Sequence, residues 1–368
     1  MIRVGLDVHT LGRRQTGNET YTRELLNALA AIADPDVDYV CYHTGRSADR
    51  SACPPGRTRQ VWPHVPIVRI PVSFPLALIR DRVDVAHFQY VAPPVSTARI
   101  VLIVHDVSFE SHPEFLPRVQ VARLRWLVPR SIRRASHTLT LSHFTRRQLI
   151  ERYRLDPDRV TVTPAAAGGA FKRIQDPIRL RQRLEPLGVP ERYILAVGNL
   201  QPRKNLPTLL EAYAALIHSG RIEQKLVLVG QAHYRGDAIL EHIDRLGIRT
   251  HVVWTGYVSE DVLVALYNLA DLFVYPTLYE GFGLPVVEAM ACGAPVVSTN
   301  VTSIPEISGD AAVLVDPRSV AELSRAIERV ATDEETRRRL SEAGLRQAAR
   351  FDWQTTATQT LEIYKRCA

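Results

Sequence analysis

The sequence predicts an α/β protein built from two consecutive doubly wound domains, and three observations predict it. Short β-branched runs alternate with helical patterns along almost the whole chain, the mark of parallel sheets wound through βαβ units. The rhythm breaks once, between residues 164 and 190, where Gly168, Gly169, Pro177, Pro186 and Pro190 are scattered among charges. A chain of 368 residues has the length of two domains of about 150 residues, each able to bury its own core. With 46% hydrophobic and 23% charged residues, the composition is that of a globular chain and excludes disorder. No apolar run reaches the roughly 20 residues that span a bilayer.

In the first half, strands are expected at 2–8, 37–43, 84–88, 99–104, 137–141 and 159–163. Tyr21, Leu25, Leu26, Leu29 and Ile32 make one apolar face at helical spacing, opened by Asn18 as N-cap. Segments 116–134 and 143–153 read as two further helices, and 164–190 as the interdomain linker. The second series has strands at 193–198, 225–230, 251–254, 271–275, 295–298 and 312–315. It closes in helices at 318–331, 333–349 and about 354–366, the last too amphipathic for a free tail. The expected domains are therefore 1–172 and 173–350, with a C-terminal helix within 351–368 packing back on the first. Two such Rossmann-like domains facing each other would leave a cleft along the carboxyl ends of both sheets, where these folds bind ligands.

Charge is unevenly spread. Of the net +7, residues 1–172 hold 24 Lys+Arg against 15 Asp+Glu (+9), and the rest hold 22 against 24 (−2). Ten arginines, from Arg118 to Arg154, face one acid, Glu151. Aromatic residues are few there and the glycines of an RNA platform are absent, so nucleic acid is not the expected partner. Between 118 and 134, Val121, Leu124, Leu127, Val128 and Ile132 form an apolar stripe flanked by arginines, which suits either a helix at an anionic membrane surface or a core-packed helix with a basic outer face. Cys41, Cys53, Cys292 and Cys367 show neither Cys-x-x-Cys spacing nor metal-ligand companions and read as plain thiols. The chain opens directly into a buried strand with no signal-like run, so a cytoplasmic location is expected, at the inner face of the membrane if the arginines touch it.

The strongest chemical signal runs from Tyr275 to Gly293. A strand ends, Gly281 and Gly283 let backbone approach a ligand, and Pro285 sits where a first helical turn tolerates it. The backbone N–H groups of the 282–285 turn and the positive end of the helix dipole would face an anion. Glu280 precedes the turn and Glu288 lies about one helical turn inside. Carboxylates so close to a phosphate site make sense as acceptors from neutral hydroxyls, which a ribose and a sugar both offer.

Glu280 and Glu288 match the Glu-x7-Glu motif of the retaining family 4 glycosyltransferases, and the sequence resembles that family. The likeness extends to Val197-Gly198-Asn199-Leu200-Gln201-Pro202-Arg203-Lys204-Asn205, similar to the family's strand-end loop with its basic pair, and to Gly293-Ala294-Pro295-Val296-Val297 through Ser303-Ile304-Pro305-Glu306. The first half matches more loosely, with Thr16-Gly17-Asn18-Glu19-Thr20-Tyr21 in the glycine-loop position and Val104-His105-Asp106 after a strand. Within the family the sequence looks most like bacterial mannosyltransferases of surface-polysaccharide assembly. The resemblance implies the GT-B fold, with 1–172 as acceptor domain and 173–350 as nucleotide-sugar donor domain. It implies a metal-independent, retaining hexosyltransferase that needs no cofactor and takes a nucleoside-diphosphate sugar, GDP-mannose before a UDP-hexose. The acceptor would be a glycan or a lipid-linked glycan. Glu280 would contact the donor sugar and Glu288 the ribose. Arg203 and Lys204 would hold the diphosphate and meet the charge that grows on it as the glycosidic bond breaks. Gly198, Gly281, Phe282, Gly283 and Leu284 would line the donor, Gly17 would let the first loop approach the phosphates, and His105 would lie over the sugar.

Other readings have their own signatures. A paired-carboxylate glycosidase would use Glu280 and Glu288 to hydrolyse a glycoside, and a noncatalytic protein of the same fold would bind the sugar nucleotide without turnover. Ser142-His143 has no third orienting carboxylate and makes no hydrolase triad. Asp36-Val37-Asp38 and Asp156-Pro157-Asp158 spell a metal-binding pattern but precede strands, so they read as turn and capping residues. A dinucleotide oxidoreductase is disfavoured because Gly281-Phe282-Gly283 lacks the third glycine.

Overall fold

The structure, a computed structural model, describes residues 1–12, 16–45, 51–231 and 237–368. It packs as two compact units. The first comprises Met1–Ser111, Arg118–Ala165 and Asp352–Ala368, and the second His112–Pro117 and Ala166–Phe351. Packing thus changes hands after Ala165, earlier than the boundary expected at 172, and gives 112–117 to the second unit.

The first unit holds one parallel sheet of seven strands: β1 (Ile2–Asp7), β2 (Val37–His43), β3 (Gly56–Gln60), β4 (Val85–Gln89), β5 (Arg99–Ile103), β6 (His137–Thr140) and β7 (Val160–Val162), ordered β3-β2-β1-β4-β5-β6-β7. β4 and four of the five residues of β5 are buried, as expected of parallel strands covered on both faces. β3 was not expected. Its Gly-Arg-Thr-Arg-Gln sequence is mostly exposed and carries no apolar signal; it exists because backbone pairing with β2, Tyr39 opposite Gly56 through His43 opposite Gln60, extends the sheet by one edge strand.

Helix Thr16–Ile32 begins before Asn18, which therefore lies inside it and caps nothing; the Asn18 carbonyl accepts from the Thr22 hydroxyl at 2.8 Å. In helix Arg118–Arg134, Val121, Val128 and Ile132 are buried while the arginines point outward, which decides for a core-packed helix with a basic outer face. Helix Trp353–Cys367 is stapled into the same unit: Trp353 meets Tyr21 edge-on at 5.8 Å, and the Tyr364 hydroxyl and His87 Nδ1 are hydrogen-bonded at 2.5 Å.

The second sheet has six parallel strands: β8 (Tyr193–Val197), β9 (Lys225–Val229), β10 (Val252–Gly256), β11 (Leu272–Tyr275), β12 (Val296–Thr299) and β13 (Ala312–Val315), ordered β10-β9-β8-β11-β12-β13. Its core is aliphatic, with Leu209, Leu210, Leu226, Ile243, Leu272, Val297 and Ile327 inaccessible to solvent. Part of the expected linker is ordered: helix Pro177–Leu184 is capped by Asp176, whose carboxylate accepts from Arg179 N at 3.0 Å.

Both sheets wind the same way. The strand order reverses beside the first strand, between β1 and β4 in one unit and between β8 and β11 in the other. In open α/β sheets the crevice outside the carboxyl ends at that reversal is the ligand position. No helix among the described residues is long and apolar enough to cross a membrane.

Candidate functional site

At the reversal point of the second sheet, the chain leaving β8 meets the chain leaving β11. Gly198 follows β8 at φ +142°, in a region L side chains rarely adopt, and a Cβ there would stand 3.1 Å from Lys204 Cε. Glycine therefore leaves room for the lysine stem. Pro202–Lys204 form a single 3-10 turn, closed by Asn205 in the left-handed region. Asn205 locks this turn in place, its Nδ2 donating to the carbonyls of Pro276 at 3.0 Å and Pro317 at 2.7 Å. The two loops are also joined by Leu278 N, which donates to Arg203 O at 2.9 Å.

This scaffold brings Arg203, Lys204 and Glu280 together. Arg203 Nη1 lies 2.5 Å from Glu280 Oε2 and donates to Tyr279 O at 3.0 Å. Lys204 Nζ lies 2.8 Å from Glu280 Oε1 and donates to the Tyr275 hydroxyl. That hydroxyl donates to Glu280 Oε1 at 2.7 Å, and the Thr277 hydroxyl donates to the same oxygen at 3.0 Å. Burial pushes the Glu280 carboxyl up, but the Arg203 and Lys204 cations and the hydrogen bonds outweigh it and hold the group down at about 2. Burial and the Glu280 charge keep Tyr275 protonated, well above the usual phenol range. Two cations against one carboxylate leave a net positive cluster at a sheet's ligand end, suited to an anion.

The turn at 280–283 is held from below. The Ser303 hydroxyl donates to Glu280 O at 3.0 Å and Phe282 O at 2.9 Å, and Glu280 N donates to the Thr302 hydroxyl at 3.1 Å. Gly283 caps helix Leu284–Ala291 at φ +104°, where a Cβ would sit 2.8 Å from Ile304 Cδ1. The backbone conformation thus favours glycine at the point where the helix presents its first N–H groups, and a Cβ would also require the Ile304 methyl to shift. Gly281 is buried in this turn and Leu284 is half-buried at the first helical position. The Phe282 ring is buried edge-on against Phe351 at 5.5 Å, so this residue offers a ligand its backbone. Glu288 is buried inside the helix, where its Oε2 accepts from the Tyr267 hydroxyl at 3.3 Å.

His105 and Gly17 belong to the first unit. His105 follows β5 and is buried, its Nε2 donating to Gln89 Oε1 at 3.2 Å, edge-on to Tyr21 at 4.9 Å. Burial lowers its pKa to about 3, so the ring is neutral. The Gln89 amide donates in turn to the Thr22 hydroxyl at 2.6 Å. Gly17 was expected in a loop; it stands in the first turn of helix Thr16–Ile32, exposed, with nothing within 4 Å of a Cβ. Helical geometry makes no demand for glycine there. Residues 13–15 and the side chain of Thr16, part of the expected glycine loop, lie outside the described residues. Both Asp-x-Asp pairs stand at the starts of strands: Asp38 binds Arg3 Nε at 2.7 Å and Asp156 accepts from Asp158 N at 3.0 Å.

Sequence reasoning missed the roles of Tyr275, Thr277 and Asn205, although all three lie inside the two motifs. It had no signal for Tyr267 or Gln89, which reach Glu288 and His105 only through folding.

The chain matches two family models: "Glycosyltransferase Family 4" over residues 16–166 and "Glycosyl transferases group 1" over residues 182–347. It is 35% identical over 279 residues to O-antigen chain mannosyltransferase B of Escherichia coli, covering 74% of this chain and 71% of that protein. It is also 35% identical over 239 residues to the serotype-specific mannosyltransferase WbdA of Escherichia coli, covering 63% of this chain and 29% of that longer protein. In fold it is similar to sucrose-phosphate synthase from Thermosynechococcus elongatus, at a TM-score of 0.79 and 19% identity over 100% of this chain and 99% of that one.

Proposed function

The chain belongs to the family 4 glycosyltransferases, and from that premise we propose that it moves mannose, with retention and without a metal ion, from a nucleoside-diphosphate sugar to a glycan or lipid-linked glycan. The carrying observation is the Arg203–Lys204–Glu280 cluster at the carboxyl ends of β8 and β11. Breaking a glycosidic bond to a diphosphate leaves negative charge on the departing oxygen, and two preorganised cations in a partly buried site stabilise that charge. Arg203 and Lys204 do the work a metal does elsewhere, by exchanging part of their contact with Glu280 for the diphosphate. Glu280, released from one partner and ionised throughout, accepts from a sugar hydroxyl. Glu288 accepts from the ribose, and the first N–H groups of helix Leu284–Ala291 face the phosphates. Retention rests on the Glu280-x7-Glu288 match.

Mannose follows the names of the two Escherichia coli relatives, and with it GDP-mannose as donor. The exposed arginines between Arg118 and Arg154, all but Arg146, supply a peripheral contact with an anionic membrane surface where a lipid-linked acceptor would be held. The glycosidase reading is disfavoured by the family match and by the two cations on Glu280, which fit a diphosphate that a simple glycoside lacks.

The test is a screen of purified protein against guanosine, uridine and adenosine sugar nucleotides, following thermal shift and release of nucleoside diphosphate. Turnover with GDP-mannose, unchanged by chelator and giving an α-linked product, is expected. Nucleotide binding without turnover, hydrolysis of simple glycosides, or strict dependence on a divalent ion would each refute the corresponding part of the reading.

A further inference from the structure

Residues 61–80 of the first unit contain no acidic side chain, and their only ionisable groups are His64, Arg69 and Arg80. They form a continuous helical run, Pro66–Val68, Arg69–Ser73 and Phe74–Asp81. Its inner side is buried through Arg69, Phe74, Leu78 and Asp81. Its outer side is apolar too: Val68, Val72, Leu76 and Ile79 recur at three- and four-residue spacing and are all exposed, Leu76 to 62%. Ile67 and Trp62 extend the stripe at 83% and 70% exposure. An apolar outer face of this kind belongs in a core or against lipid, and a monomer in water rarely presents a stripe of this length.

We propose that this outer stripe is a membrane-insertion surface, lying in the interface of an anionic bilayer with Trp62 at headgroup depth. Charge complementarity selects the occupant. Exposed Arg80 and Arg82 stand at the end of the run, on the part of the chain that holds all the basic excess, while Asp81 is turned inward onto Arg59 at 2.5 Å and the exposed Asp84 accepts from Arg3 N at 2.7 Å. An anionic bilayer supplies apolar depth and negative charge together. A second copy meeting this stripe about a twofold axis would set basic rim against basic rim with no acid within 61–80 to offset it. The use of the surface rests on the lipid-linked acceptor proposed above; its existence rests on the stripe alone. It differs from the arginine contact of helix Arg118–Arg134 in its salt response, since apolar insertion survives screening.

The experiment is sedimentation of the purified full chain with phosphatidylglycerol-containing and with pure phosphatidylcholine vesicles, at low salt and at about 1 M salt, where the Debye length is about 3 Å. Binding to anionic vesicles should persist in part at high salt. The exposed-site variant V72E/L76E/I79E should bind at least about thirtyfold more weakly, with an unchanged thermal melt and unchanged sugar-nucleotide turnover on a soluble acceptor. Ile67→Asp, at a side chain that touches little, gives the same direction should the triple variant melt early. Brominated lipid should quench wild-type tryptophan fluorescence and quench Trp62→Phe less. Vesicle binding by the triple variant and by Ile67→Asp equal to wild type overturns the proposal, as does a wild-type dimer that these variants disperse without any vesicle binding. Stripe-dependent binding by a protein with no sugar-nucleotide turnover upholds the surface and sinks the transferase reading instead.

Discussion

Two sheets of the same strand order end in opposite chemistry. Beside β8 and β11 the ligand end is charged: Arg203, Lys204 and an ionised Glu280 share a partly buried cluster. Beside β4 and β5 of the first unit the hydrogen-bonded chain of His105, held uncharged by burial, Gln89 and Thr22 is neutral, and the charge at the end of β1 is a carboxylate, Asp7, 2.9 Å from His9 Nδ1. The winding sets where a ligand sits in each unit, and the side chains at that place set which ligand it is. Cations preorganised around one carboxylate fit a diphosphate. Neutral donors and acceptors fit hydroxyls, which are strongly hydrogen-bonding but uncharged.

The largest effect should come from removing the charge. Arg203→Ala with Lys204→Ala is expected to lower turnover at least about a hundredfold, the scale of lost charge stabilisation in a transition state. The same change leaves Glu280 buried without its cations and should cost roughly 3–5 kcal/mol of stability in urea melts. Adding Glu280→Gln should restore most of that stability and none of the activity. If the double variant transfers sugar normally, the diphosphate is bound elsewhere and the contrast between the two ends has no functional meaning.

Glu280→Gln alone keeps the shape and removes the negative charge. We expect turnover to fall about tenfold or more while nucleotide affinity stays within about threefold, because the group acts on the sugar. A larger loss of nucleotide affinity than of turnover would assign Glu280 to the nucleotide. Glu288→Ala should do the reverse, weakening donor binding by about tenfold through a lost hydroxyl acceptor and an unsatisfied Tyr267. Isothermal titration with the nucleoside diphosphate and with the intact donor separates the two.

The smallest effect at neutral pH becomes the clearest in acid. Burial holds His87 and His105 at about 3, so the folded first unit refuses protons that the unfolded chain accepts below about pH 6.5. Stability is then fully present above that value and falls as pH drops toward 3, by up to about 1.4 kcal/mol per pH unit for each histidine. Glu280 is perturbed in the same direction, a depressed carboxyl, but its contribution should last until pH falls from about 4.5 toward 2. Urea melts between pH 7 and 4, repeated on His87→Gln and His105→Gln, should show a slope that each substitution reduces. A slope untouched by either variant would mean that these rings are not held neutral.

Legibility in the sequence followed how local the cause was. Eleven of the twelve expected strands match observed ones to within a residue or so at each end because each is a short run of apolar residues bounded by turn formers; the twelfth, 251–254, is β10, which ends two residues later. β3 escaped because its exposed Gly-Arg-Thr-Arg-Gln sequence pairs through backbone alone. Asn18 looked like a cap because Asn favours that position, yet the helix starts before it. The motif around Glu280 was legible because a strand end, two glycines and a proline at fixed spacing can build little else. The packing of the Phe282 ring was not legible, because Phe351, far along the chain, decides it.

Composition, alternation and spacing alone thus determined two doubly wound domains, the ligand ends of their strands, and a glycine turn with two glutamates at one of them. Those are local properties, written in residues a few positions apart. That Glu280 is ion-paired with Arg203 and Lys204, that Tyr275 and Thr277 complete its hydrogen bonds, and that His105 stays neutral against Gln89 were decided by tertiary structure. Each joins groups on different strands or loops, and the state of a buried ionisable group depends on what surrounds it in space, which no single stretch of chain contains.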